Sequence, residues 1–137
     1  MMAGENLWGE LPAVETERTP LVILREQCAI LGELTENVLE GRVRKIWKGN
    51  RFHLIMEIVA PALDNYVYTV LRVDHGIQMY PLEIVRLNLE LDEIGRGNPA
   101  QHCKNEAEYI NVLRENLSSD TVRRVIMGLI TLGKAEP

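Results

Sequence analysis

The stretch GRVRKIWKGNRFHLIMEIV, residues 41–59, decides how the chain is read. From Arg42 onward apolar and polar residues alternate with period two, the side-chain period of a strand. Gly49-Asn50 lies between two such runs and suits a two-residue hairpin turn, because both residue types tolerate positive φ. That turn sets Trp47 against Phe52, Lys45 against Leu54, Val43 against Met56 and Arg42 against Glu57. One face then carries Val43, Trp47, Phe52, Leu54, Met56 and Ile58. The other carries Arg42, Arg44, Lys48, Arg51 and His53, with Ile46, Ile55, Glu57 and Val59 among them. Opposed aromatic and opposite-charge pairs are favourable across a ladder, so the register is self-consistent.

Downstream, residues 61–65 (Pro-Ala-Leu-Asp-Asn) break the strand and residues 66–73 resume it. Asp74-His75-Gly76 reads as a three-residue hairpin loop that would set Val73 against Ile77 and Leu71 against Met79. Pro81 marks a bend, bulge or edge, since it cannot donate to a ladder. Val85, Leu87, Leu89 and Leu91 alternate with Arg86, Asn88, Glu90 and Asp92, a half-buried strand pattern. Residues 92–104, with Gly95, Gly97 and Asn98-Pro99, read as a loop.

Helices flank this block. Thr19 is an N-cap and Pro20 suits the first helical position, where a missing N–H costs nothing. Leu24, Cys28, Leu31 and Val38 recur at helical spacing behind them, with Gly41 near the end. Asn105 followed by Glu108 resembles a capping arrangement opening a second helix. Ser118 or Ser119 caps a third, which Gly133 is expected to stop. Strands grouped together between helices predict an α+β fold: an N-terminal helix, an antiparallel meander of four to five strands, and two C-terminal helices packed on the sheet. The predicted organisation is an acidic, flexible tail over 1–18, a single domain over 19–133 and a short tail over 134–137.

Composition bounds the function. The 137 residues hold 15 Lys+Arg and 20 Asp+Glu, a net charge of −5, which argues against a generally polyanion-coating protein. Glu5, Glu10, Glu15 and Glu17 lie in the first 18 residues, which lack the basic start and apolar run of a signal peptide. The longest strongly apolar run, residues 125–130, is far shorter than the ~20 residues of a membrane span. Cys28 and Cys103 form no paired motif and read as reduced thiols, so a cytoplasmic location and no membrane association are expected. Trp8 and Leu11 stand out in the acidic tail as a short docking motif.

Motifs for chemistry are sparse. Residues 95–100, Gly-Arg-Gly-Asn-Pro-Ala, fit a dinucleotide-binding pattern formally. Pro99 intervenes, however, and the helix whose N-terminus would hold the pyrophosphate opens several residues later. His102 and Cys103 are adjacent, a spacing from which side chains diverge, and His53 and His75 have no paired ligand, so no metal or cofactor is called for. No nucleophile elbow occurs, and Ser118-Ser119 are explained by capping.

Three readings follow from these residues. The leading one is a small non-catalytic interaction or assembly module, self-associating as a homodimer or binding a protein partner through the sheet. It rests on the expectation that Ile46, Ile55, Val59, Tyr66, Tyr68, Val70, Tyr80, Leu82 and Ile84 lie together on the face away from the helices, too much apolar surface for solvent. The second is nucleic-acid binding by the basic hairpin 42–51, through Arg42, Arg44, Lys48, Arg51 and His53. The third is an enzyme or small-molecule binder at the strand-end loops, with Asp64, Tyr66, Arg72 and His75 around a pocket.

Overall fold

A computed structural model of the chain describes residues 4–11, 18–86 and 100–135. Helix α1 (Pro20–Leu34) precedes five strands: β1 (Glu40–Lys48), β2 (Arg51–Ala60), β3 (Tyr66–His75), β4 (Leu82–Arg86) and β5 (Gln101–Cys103). Helices α2 (Glu106–Leu117) and α3 (Asp120–Ala135) complete the α+β fold. The strands form one antiparallel sheet in chain order, β1-β2-β3-β4-β5.

Local chemistry places the element ends. The Thr19 hydroxyl accepts from the Val22 N–H and Pro20 opens α1. The Asn105 side chain accepts from the Glu108 N–H at 2.9 Å, and the Glu108 carboxylate reaches back to the Lys104 N–H at 3.1 Å. Ser119 caps α3 through the Val122 N–H. The hairpin forms in the register its turn dictates, with Trp47 opposite Phe52, Val43 opposite Met56 and Arg42 opposite Glu57. Gly49 takes a φ of +60° in that turn.

All three helices lie on one face of the sheet, called here the helix face. Leu54, Met56, Ile58, Leu71, Val73, Leu82 and Ile84 meet Ile23, Leu24, Tyr109, Leu113, Val122 and Leu129 there. At the α1–β1 contact a Cβ on Gly41 would lie 2.6 Å from the Cys28 Cβ and 2.7 Å from its Cα, so only glycine lets helix and strand approach this closely.

The outer face differs from the sequence expectation for two reasons. First, β3 carries a bulge: Met56 pairs with Leu71 but Glu57 pairs with Thr69, so Val70 is the extra residue. Val70 and Leu71 therefore both turn to the core, and the alternation inverts from there to Tyr66. Second, β3 runs on to His75, and a six-residue connection, 76–81, replaces the three-residue loop. His75 then pairs with Leu82 and Val73 with Ile84, not with Ile77. A one-residue change of parity moves every side chain to the opposite face. Tyr68, Val70, Tyr80, Leu82 and Ile84 accordingly belong to the core layer. Of the nine residues expected on the outer face, Ile46, Ile55 and Val59 remain.

Two smaller corrections concern the C-terminal half. Residues 101–103 form β5, where a loop was read, because Gln101 and Cys103 continue the ladder on β4. Helix α3 passes through Gly133 to Ala135, since glycine weakens a helix without ending one that packing holds. The alternation through Leu87, Leu89 and Leu91 and the glycine pattern over 95–99 lie outside the described residues.

Candidate functional site

The predicted basic residues do share the outer face, but most of them are engaged. Glu57 is 3% exposed. It is bridged by two guanidinium groups from β1, Arg42 Nε at 2.8 Å and Arg44 Nε at 3.1 Å. A carboxylate withdrawn from water needs such charge-assisted donors, and these two are themselves half in solvent. One strand further across, the buried Asp74 carboxylate meets His53 Nδ1 at 2.6 Å. It also accepts from Arg72 Nε at 2.9 and 3.1 Å. Because an ionised carboxylate only accepts, His53 donates through Nδ1 and its Nε2 points away from Asp74. This oriented His–Asp pair beside an arginine is the nearest approach to acid–base machinery, on a sheet face. Among the described residues no cluster of three or more His, Cys, Asp or Glu side chains is placed to hold a metal.

Lys48 and Arg51, opposite each other at the turn, pair with no described carboxylate. They belong to a second constellation at the hairpin tip. Trp47, Phe52 and His75 form a cross-strand row on the helix face, beyond the end of the core. Trp47 meets Phe52 edge to face at 5.6 Å, and His75 stacks on Phe52 at 5.3 Å. Lys45 Nζ lies 5.6 Å from the Trp47 ring centroid, a cation–π contact. Trp47 is nevertheless 64% exposed. Next to this row, a crevice of about 350 Å³ opens between the hairpin turn and the 76–81 connection, lined by Asn50, Arg51, Gly76, Ile77 and Gln78. The Trp47–Phe52 pair was legible from the hairpin register. The place of His75 was not, because it depends on β3 continuing past the presumed turn.

The pocket group is not brought together. Asp64 and Tyr66 stand at the start of β3, whereas Arg72 and His75 stand at its far end. At ~3.3 Å per residue that separates Tyr66 from His75 by roughly 30 Å. Arg72 turns outward to Asp74, and His75 turns to the helix face, donating through Nδ1 to the Gly76 carbonyl at 2.7 Å. Asp64 and Asn65 hold positive φ in the β2–β3 connection, a turn-forming role.

The thiols are poorly suited to nucleophilic work. Burial pushes both Cys28 and Cys103 up to about 11. His102 and Cys103 alternate across β5, so the imidazole stands in solvent while the thiol is fully buried.

The helix face offers apolar relief where α3 crosses the sheet. A crevice of about 160 Å³ lies on its α1 side, with Ile30, Leu31, Leu34 and Ile126 among its walls. Another of about 400 Å³ lies on its β3 side, between Leu63, Tyr66, Tyr68, Val125 and Leu132. Around them Leu34 is 78% and Leu132 56% exposed, and Ile30 and Tyr66 are exposed too. Among the described residues no helix is long and apolar enough to cross a membrane. No family model matches the chain, no curated protein matches it and no solved structure matches it, so its function is read from its own residues.

Proposed function

We propose that the protein is a non-catalytic assembly module that self-associates, docking a second copy through the helix layer around α3. The observation that carries this reading is the concentration of exposed apolar side chains there. Ile30, Leu34, Tyr66 and Leu132 stand exposed around the two crevices. A monomer rarely leaves this many large apolar side chains on one layer to water. A two-fold contact needs one surface that is complementary to itself, with both projecting groups and hollows. This patch has both: Leu34 and Leu132 project, and crevices of about 160 and 400 Å³ lie beside them. The sheet's outer face supports association less well, because its carboxylates are already paired and Ile46, Ile55 and Val59 are not among the exposed large side chains.

Sedimentation at micromolar concentrations tests the proposal. The wild-type chain is expected to dimerise. Leu34→Glu and Leu132→Glu are each expected to weaken the dimer about 30-fold or more, the effect of losing a central anchor worth ~2 kcal/mol. Their exposure makes both substitutions tolerable to the fold. A wild-type chain that stays monomeric, or a dimer indifferent to both changes, overturns the reading.

A further inference from the structure

The hairpin tip combines three features that the assembly reading does not use: an exposed indole, cations with no carboxylate partner among the described residues, and an adjoining crevice of mixed polar and apolar lining. We propose that this tip binds single-stranded nucleic acid, with Trp47 stacking a base and Lys48 and Arg51 meeting the backbone phosphates.

The sequence had pointed to five residues for such a role, and the structure selects among them. Arg42 and Arg44 are held on Glu57, and His53 is held on Asp74, so these three bring little free charge to a phosphate. Lys48 and Arg51 remain, without a described carboxylate partner, on either side of Gly49-Asn50. Lys45 adds a third cation on the indole side. The Arg51 guanidinium lies over the 76–81 connection, with Nη1 3.8 Å from where a Gly76 Cβ would stand. It thus lines the crevice of about 350 Å³, whose other walls include Asn50, Gln78 and the apolar Ile77, Met79, Tyr80 and Pro81. A chain whose base rests on Trp47, on the helix face, can pass around the Gly49-Asn50 turn to Lys48 and Arg51 on the outer face, where the Arg51 guanidinium offers donors to a phosphate and the exposed Ile77 an apolar contact to a sugar or base.

The aromatic component distinguishes a single strand from other polyanions. Phe52 packs between Trp47 and His75, so one edge of the Trp47 ring is supported while most of the ring stays open to a ligand. A base in a duplex has both faces already stacked. An unpaired base has a free face, and its stacking on a side-chain ring tolerates any sequence. An acidic peptide would satisfy the cations but leave the indole unused.

The test uses the full chain with Trp8→Phe, so that Trp47 is the sole tryptophan, titrated with oligomers of about ten nucleotides of single-stranded RNA, single-stranded DNA and duplex, and with an acidic peptide of similar length. Single strands are expected to quench Trp47. Three neutralised phosphates predict that log K falls against log salt with a slope of about −2. Followed by the anisotropy of a dye-labelled strand, which needs no tryptophan, Trp47→Ala is expected to weaken binding about 5- to 150-fold, while Trp47→Phe restores most of it by returning a ring. Lys48→Glu with Arg51→Glu is expected to flatten the salt slope. All these positions are exposed, so circular dichroism of each variant is expected to match the wild type. RNA binding tighter than DNA, or the reverse, identifies the natural strand and supports the proposal. No quenching at low salt, equal affinity for duplex or acidic peptide, or binding indifferent to Trp47→Ala overturns it.

Discussion

Replacing Gly41 with alanine inserts one methyl group at the point where α1 presses on β1. The new Cβ would stand 2.6 Å from the Cys28 Cβ, 2.7 Å from its Cα and 2.9 Å from its Sγ. Carbon atoms in contact sit at about 3.5–4.0 Å, so the shortfall is about 1 Å. Rotating the thiol cannot relieve it, because the Cys28 Cα belongs to the helix backbone. The helix must therefore lift. A gap of up to 1 Å forfeits a quarter to a half of the contact energy of the side chains it separates. Helix α1 buries Ile23, Leu24 and Cys28 against the sheet. With each apolar side chain contributing ~1.5–3 kcal/mol, the loss comes to about 1–4 kcal/mol. Alanine recovers up to ~1 kcal/mol because glycine loses more backbone entropy on folding. The net expectation is a loss of about 1–3 kcal/mol, read as a lower urea midpoint with an unchanged m value. Gly128→Ala is the control: nothing lies within 4 Å of its Cβ position and it sits inside α3. At concentrations where the chain is monomeric, that change is expected to stabilise by roughly 0.5–1 kcal/mol. If Gly41→Ala shifts stability by less than about 0.5 kcal/mol, the close α1–β1 approach is not what positions the helix.

Other expectations follow from buried polar groups and from the two surfaces. Both thiols titrate near 9.0 in the unfolded chain and about 11 in the fold, so their contribution is complete below pH 9 and is lost as pH rises toward 11. Urea unfolding across that range should show stability falling by roughly 2–3 kcal/mol per thiol, and Cys103→Ala should flatten the slope; a flat profile in the wild type refutes it. Tyr109→Phe deletes the buried hydroxyl that donates to the Pro20 carbonyl at 2.9 Å, and a loss of about 1–2 kcal/mol in thermal or urea unfolding is expected. Leu34→Glu and Leu132→Glu should separate the dimer in sedimentation without changing the monomer's melting. Trp47→Ala should weaken strand binding, read by the anisotropy of a labelled strand, while leaving that dimer intact, which keeps the two proposed surfaces experimentally independent.

Much of the fold was legible because its determinants are local. The Thr19 and Asn105 caps act over three residues, and the hairpin 40–60 follows from one turn and the alternation on either side of it. The 3-10 turn Pro61–Leu63 and the left-handed residues after it appear where Pro and Asp-Asn mark a break. The connection after β3 was misread because Asp74-His75-Gly76 has good turn chemistry. In the fold Asp74 and His75 still pair with β2 on one side and with Glu83 and Leu82 on the other. Of the candidate residues, the shared face of Arg42, Arg44, Lys48, Arg51 and His53 was readable from the hairpin. Their unequal availability was not, apart from the Arg42–Glu57 pairing. The engagement of His53 by Asp74, and the reach of Arg51 toward Gly76, depend on residues more than 20 positions away in the chain.

The sequence by itself determined the element types, the caps and the register of one hairpin, since those interactions close within a turn or across a two-residue loop. Tertiary structure decided which faces those elements present. A single extra residue at Val70 and a connection of six residues reverse the parity of β3 and β4, carrying Tyr68, Val70, Leu82 and Ile84 from the expected outer face into the core. Pairing across three strands then decided which charges are spent on buried carboxylates and which remain at the tip. Periodicity cannot announce either event, because a bulge and a cross-sheet ion pair are set by the energy of filling one shared core, not by the residues next to them in the chain.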